Sequence, residues 1–144
     1  MKTPKILIAD DNAPNVELLD AYLSGYDYEI ETARDGAETL EKVKSFAPDL
    51  ILLDVMMPKL SGFEVCEKLK NDPKTNSIMI LMVTALSELG DIERAVNAGC
   101  DDYLSKPVNK SALLKRVENM LKLRHITSEL ERLKQYIDEM DKNE

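Results

Sequence analysis

Three runs of four to six uninterrupted apolar residues, each closed by a polar group, constrain this chain more than any other feature. Ile6-Leu7-Ile8-Ala9 meets Asp10, Leu50-Ile51-Leu52-Leu53 meets Asp54, and Ile78-Met79-Ile80-Leu81-Met82-Val83 meets Thr84. Runs that are apolar at every position suit strands buried on both faces, which is the pattern of a parallel sheet covered by helices. Amphipathic stretches lie between them. Val16, Leu19, Tyr22 and Leu23 recur at helical spacing, as do Ala37, Leu40 and Val43, then Phe63, Cys66 and Leu69, and finally Leu89, Ile92, Ala95 and Val96. Tyr28–Thr32 alternates and reads as a peripheral strand, whereas Asp102–Ser105 reads as a short fifth strand running into Lys106-Pro107. Asn71-Asp72-Pro73 stops the third helix, Gly99 closes the fourth, and a last helix starts near Asn109 with no breaker behind it.

Five such units predict a doubly wound α/β fold of the flavodoxin-like kind. It has a five-stranded parallel sheet in the order 2-1-3-4-5, five helices, and an extended C-terminal helix. The 144 residues suffice for one domain of this size. With 19 basic against 27 acidic residues, a formal charge of -8, the chain lacks the basic face that nucleic-acid binding requires. The lone His125 excludes a multi-histidine metal site. Cys66 and Cys100 form no CxxC pair and suit a reduced, cytoplasmic compartment. The first apolar run meets Asp10 too soon for a signal peptide, and no run approaches the ~20 residues that span a membrane.

Ligands of doubly wound sheets bind beyond the carboxyl ends of the strands. Here those ends carry Asp10 and Asp11, Asp54, Thr84 and Lys106. Any one of them is ordinary as a cap or a surface group. Four strands ending this way is a joint pattern that chance explains poorly. Three neighbouring carboxylates repel unless a cation sits among them, and hard oxygen ligands with room for water fit Mg²⁺. Lys106 supplies a point charge for an anion, and Thr84 a directional donor. The five glycines form neither a P-loop nor GxGxxG.

With these residues in view, the sequence from residue 5 to about 122 resembles the receiver domain of two-component response regulators. The resemblance is carried by Asp10-Asp11, Leu52-Leu53-Asp54-Val55-Met56-Met57-Pro58, Gly62, Thr84-Ala85 and Tyr103-Leu104-Ser105-Lys106-Pro107. The runs 53–58 and 63–70 look most like receivers that precede diguanylate cyclase domains. The resemblance implies that Asp54 accepts a phosphoryl group from a phosphohistidine on a histidine kinase or histidine phosphotransfer protein. It implies Mg²⁺ held by Asp11 and Asp54, by Asp10 through water, and by the Met56 backbone carbonyl. Lys106 would balance a phosphoryl oxygen and Thr84 would move to bond it. Tyr103 would then turn inward, and the Lys106-Pro107 bond would be cis. Met56 and Leu86, two residues beyond Asp54 and Thr84, are apolar and cannot orient an attacking water, so self-dephosphorylation should be slow. The expected role is a signalling switch rather than an enzyme acting on other substrates. A haloacid-dehalogenase-like phosphatase would need a second Asp where Met56 stands, and a phosphorylation-independent interaction module would not need the intact acidic set.

Beyond the receiver, expected over 1–121, residues 122–144 carry a net charge of -1, leaving -7 to the rest. Leu123, Ile126, Leu130, Leu133, Ile137 and Met140 recur at alternating spacings of 3 and 4, a coiled-coil seam of about two and a half heptads. This segment is expected to dimerise the protein or to link it to an output domain, with no output domain of its own. The alternative is an amphipathic helix that folds back on the body.

Overall fold

The computed structural model describes residues 3–85 and 89–142. Its elements, in order, are β1 (Lys5–Ala9), α1 (Ala13–Leu23), β2 (Glu29–Ala33), α2 (Gly36–Phe46), β3 (Leu50–Leu53), α3 (Gly62–Lys70), β4 (Met79–Thr84), α4 (Leu89–Ala98), β5 (Asp102–Ser105) and α5 (Lys110–Lys142). All strand pairs are parallel and the sheet order is β2-β1-β3-β4-β5. Two strands start a residue later than the apolar runs suggest. Tyr28 and Ile78 donate their N–H groups backwards, to the Tyr26 and Thr75 carbonyls, and so belong to the preceding turns.

Alternation along each strand divides the core in two. Leu7, Ile51, Leu53, Ile80 and Met82 meet Val43 of α2, Phe63 and Cys66 of α3, and Ala95 and Ala98 of α4. Ile6, Ile8, Leu50, Leu52, Leu81 and Val83 meet Leu19 and Leu23 of α1, and Leu113, Val117 and Met120 of α5. The buried face of α4 differs from the sequence expectation. Ala95 and Ala98 carry it, whereas Ile92 and Val96 are 39% and 66% exposed. The Cys66 thiol donates to the Ala98 carbonyl at 3.3 Å. Burial first, and the Cys100 sulfur second, push its pKa up to about 12, so it is a packing group rather than a nucleophile.

Local chemistry sets the helix ends. Asn12, Asp35, Ser61 and Asn109 accept hydrogen bonds from N–H groups of the first turns of α1, α2, α3 and α5. Ser61 and Glu64 form a reciprocal capping box. α2 ends at Ala47 in the left-handed region, φ 53° and ψ 63°. A methyl side chain is strained there, so Ala47→Gly is expected to stabilise the fold by about 1 kcal/mol in urea denaturation.

Candidate functional site

Strand register builds the site before any side chain is considered. Ala9 of β1 lies opposite Leu53 of β3, so Asp10 and Asp54 leave the sheet at one level. The ladder continues one step past the strands, with Asp10 N–H bonding the Ala33 carbonyl at 3.0 Å and Asp54 N–H the Ala9 carbonyl at 2.9 Å. On the other side Thr84 lies opposite Ser105, and the Lys106 N–H donates to the Thr84 carbonyl at 2.9 Å. The Lys106–Pro107 bond is cis.

Lys106 Nζ sits 2.9 Å from Asp10 Oδ2 and 3.4 Å from Asp54 Oδ2. The two carboxylates are almost sealed from solvent at 2% and 6% exposure, whereas Asp11 is exposed. One carboxylate oxygen each from Asp10, Asp11 and Asp54 lie within 4.8 Å of one another. Asp10 Oδ1 also accepts from the Asn12 N–H at 2.9 Å. Asp54 Oδ1 faces the Met56 N–H at 3.4 Å.

These contacts leave an electrostatic imbalance. Burial raises the Asp54 pKa above its ordinary value, and the Asp10 charge adds to it. Lys106, the Met56 N–H and the Thr84 hydroxyl oppose the rise without cancelling it. The Lys106 ammonium thus pairs with two of the three clustered carboxylates. The residual charge and the all-oxygen donor set fit a small divalent cation such as Mg²⁺.

The turn after Asp54 holds its shape through Gly62, whose N–H donates to the Val55 carbonyl at 2.9 Å. A Cβ on Gly62 would collide with the Asp54 carbonyl oxygen and reach 2.8 Å from Val55 Cα. Backbone cannot yield as a side-chain tip can. Gly62→Ala is therefore expected to cost about 1–3 kcal/mol by denaturant titration and to displace Asp54.

Tyr103 packs its ring against the α4 side of the core. Its hydroxyl is shielded from water and makes no hydrogen bond among the described residues. Desolvation raises its pKa, with Asp91 the next cause. Leu86 lies outside the described residues. The Met56 side chain is 64% exposed at the mouth of the site.

The mouth also includes groups that no motif signalled. A cleft of about 500 Å³ is lined by Asp11, Met56, Pro58, Phe63, Asp91 and Arg94, among others. The Arg94 guanidinium lies 4.5 Å from the centre of the Phe63 ring. This pairing arises from the packing of α4 on α3, and sequence spacing carries no trace of it.

A buried carboxylate ringed by acid and reached by one lysine, at the switch edge of this sheet, is the equipment of a phosphoryl acceptor. It is not that of a dinucleotide or P-loop site. The chain belongs to the response regulator receiver domain family, whose model matches residues 6–118. It is 42% identical over 126 residues to the response regulator PleD of Caulobacter vibrioides, a match covering 88% of this chain and 28% of PleD. The polar-differentiation response regulator DivK of Brucella ovis is 34% identical over 119 residues, covering 83% of this chain and 97% of DivK. A CheY-like receiver domain structure from Methanospirillum hungatei superposes with a TM-score of 0.81 at 29% identity, covering 88% of this chain and 99% of that one. The chain is a receiver domain of two-component signalling, a class that works with histidine kinases and output domains. It spans under a third of PleD.

Proposed function

We propose that Asp54 is the phosphoacceptor of this receiver, and that Asp10, Asp11, Thr84 and Lys106 form its catalytic surroundings. The observation that carries this reading is the shared ammonium. Lys106 Nζ reaches Asp10 and Asp54 together, in a site still short of positive charge. A carboxylate oxygen of Asp54 attacks the phosphorus of a phosphohistidine on a kinase or phosphotransfer partner. The new O–P bond makes an acyl phosphate, the P–N bond breaks, and the released imidazole takes up a proton.

Asp11 and Asp54, Asp10 through water, and the Met56 carbonyl would hold Mg²⁺. The metal supplies neutralisation of the charge that gathers on the phosphoryl oxygens. Lys106 gives up part of its pairing with Asp54 to bond a phosphoryl oxygen, and Ala85 is small enough to leave the approach open. Thr84 follows the new charge, and Tyr103 fills the space vacated. This biases an equilibrium already available to the free protein.

Ile92 and Val96, exposed on α4, together with β5 and the start of α5, offer the surface such a change would present to an output domain or partner. The family resemblance implies an output surface over roughly 88–98, 102–105 and 109–121, of which Glu88 lies outside the described residues. Met56 presents a thioether beside Asp54 and no base to orient a hydrolytic water, which supports a long-lived phosphoryl group and a switch in place of a phosphatase. A phosphoryl half-life of only seconds in the isolated protein would overturn that part. Among the described residues no helix is long and apolar enough to cross a membrane. With this reading goes a cytoplasmic location, where the receiver would meet its phosphohistidine donor.

Incubation with acetyl phosphate and Mg²⁺ tests the proposal by intact mass. One phosphoryl group per chain is expected, and none when EDTA replaces the metal. An unchanged mass in the presence of Mg²⁺ would remove the reading.

A further inference from the structure

α5 is one unbroken helix of 33 residues, from Lys110 to Lys142, but only its first third has a core to cover. Leu113, Val117 and Met120 are its buried residues. Arg124 makes the last strong contact with the body. Its Nε lies 3.0 Å from Asp49 Oδ1, and its Nη1 donates to the Ser77 carbonyl at 2.6 Å and the Ser77 hydroxyl at 3.2 Å. Asp49 is itself held across the sheet, because its other carboxylate oxygen accepts the Lys5 N–H at 2.9 Å. Arg124 thus fixes the direction in which the helix leaves the domain.

An apolar face then begins that is about half exposed. Leu123, Ile126, Leu130, Leu133, Ile137 and Met140 are 49–62% exposed. At 3.6 residues per turn, the positions that meet the body (113, 117, 120 and 124) and this seam centre roughly 140° apart around the helix. The seam is therefore not a continuation of the buried face. The helix cannot turn the seam onto its own domain without releasing Arg124, which rules against the fold-back alternative.

We infer that this seam joins two copies of the chain in a parallel, in-register, two-stranded coiled coil. Charge complementarity selects the occupant and its orientation. With Leu123, Leu130 and Ile137 at a positions, Glu129 falls at g and Lys134 at the following e. A parallel second copy forms that ion pair twice across the interface. An antiparallel copy sets Glu129 against Tyr136 and Lys134 against Thr127, and gains no ion pair. Glu129 Oε1 also lies 3.2 Å from His125 Nε2 one turn earlier. Parallel strands place both receivers at the same end of the coil, each anchored by its own Arg124. This pairing goes beyond the phosphoacceptor reading and does not depend on it.

Sedimentation of the full 144-residue chain from about 1 μM to about 1 mM tests the inference. The weight-average mass should rise from one chain toward two. A single-chain mass throughout, or a mass that climbs past two chains, overturns it. Leu130→Asp combined with Leu133→Asp should weaken association at least tenfold. In the single chain these positions face solvent, so at concentrations below association circular dichroism and phosphoryl uptake should match the parent. Unchanged association in that variant overturns the seam. Glu129→Lys and Lys134→Glu should each weaken the dimer about threefold or more, and an equimolar mixture of the two should recover it. The mixture recovers only if g meets e of the other strand, so failure to recover overturns the parallel orientation.

Discussion

Asp54→Asn is expected to take up no phosphoryl group from acetyl phosphate and Mg²⁺, yet to resist unfolding better than the parent when metal is removed. The first effect follows from chemistry, because an amide oxygen cannot form the acyl phosphate. Intact mass reads it as complete loss, and an equal mass gain in the variant would show that another residue is modified. The second effect follows from the raised Asp54 pKa, caused by burial and then by Asp10. A carboxyl whose folded pKa lies above its unfolded value stabilises the fold fully below the unfolded value, 3.8. That contribution is lost as pH rises from there through the folded value. Asn does not titrate, so the advantage of the variant should open across this window and persist at pH 7. Melting in EDTA at pH 3 and pH 7 measures it. A variant that melts below the parent at pH 7 would mean that the ion pair with Lys106 outweighs the repulsion.

Lys106→Met should have the opposite sign and a larger size. The lysine side chain is only 18% exposed and is the ammonium within 4 Å of both Asp10 and Asp54. Removing one partner from a buried ion pair costs about 3–5 kcal/mol, because charge is left uncompensated in a poorly solvated place. Urea titration in EDTA should show a loss of about 3 kcal/mol at pH 7. The loss should shrink when the carboxylates are protonated, and also in the double variant with Asp54→Asn. If the double variant is as unstable as Lys106→Met alone, the cost comes from packing and not from charge. Phosphoryl uptake by the single variant should fall sharply even in Mg²⁺, because a phosphoryl oxygen loses its countercharge.

The two variants probe a site whose members were mostly legible in the sequence. A continuous apolar run has an end, and the residue at that end is fixed to one edge of the sheet once the strands are parallel. Asp10, Asp54, Thr84 and Lys106 could be placed this way. The acidic repulsion could be anticipated too, since it needs only three carboxylates on neighbouring strand ends. Burial could not be read in the same way. Ile92 and Val96 have the spacing of a core face, but the small Ala95 and Ala98 carry the contact, and the larger pair stays outside. Periodicity tells which residues share a side of a helix, not how that side is rotated against its neighbours. The Arg94 and Phe63 contact was invisible for the same reason.

By itself, the sequence determined the elements, their parallel order and the residues delivered to the carboxyl edge, because these depend on hydrophobic period and strand ends, which are local. Only the tertiary structure decided which charges are desolvated, which ammonium they share, and where α5 leaves the body. Asp49, Ser77 and Arg124 lie far apart in sequence, and they meet only because β1, β3 and β4 begin at the same rim of the sheet, which α5 passes at Arg124. Distances between residues so separated along the chain come from packing, and packing is what leaves the apolar seam from Leu123 onward exposed.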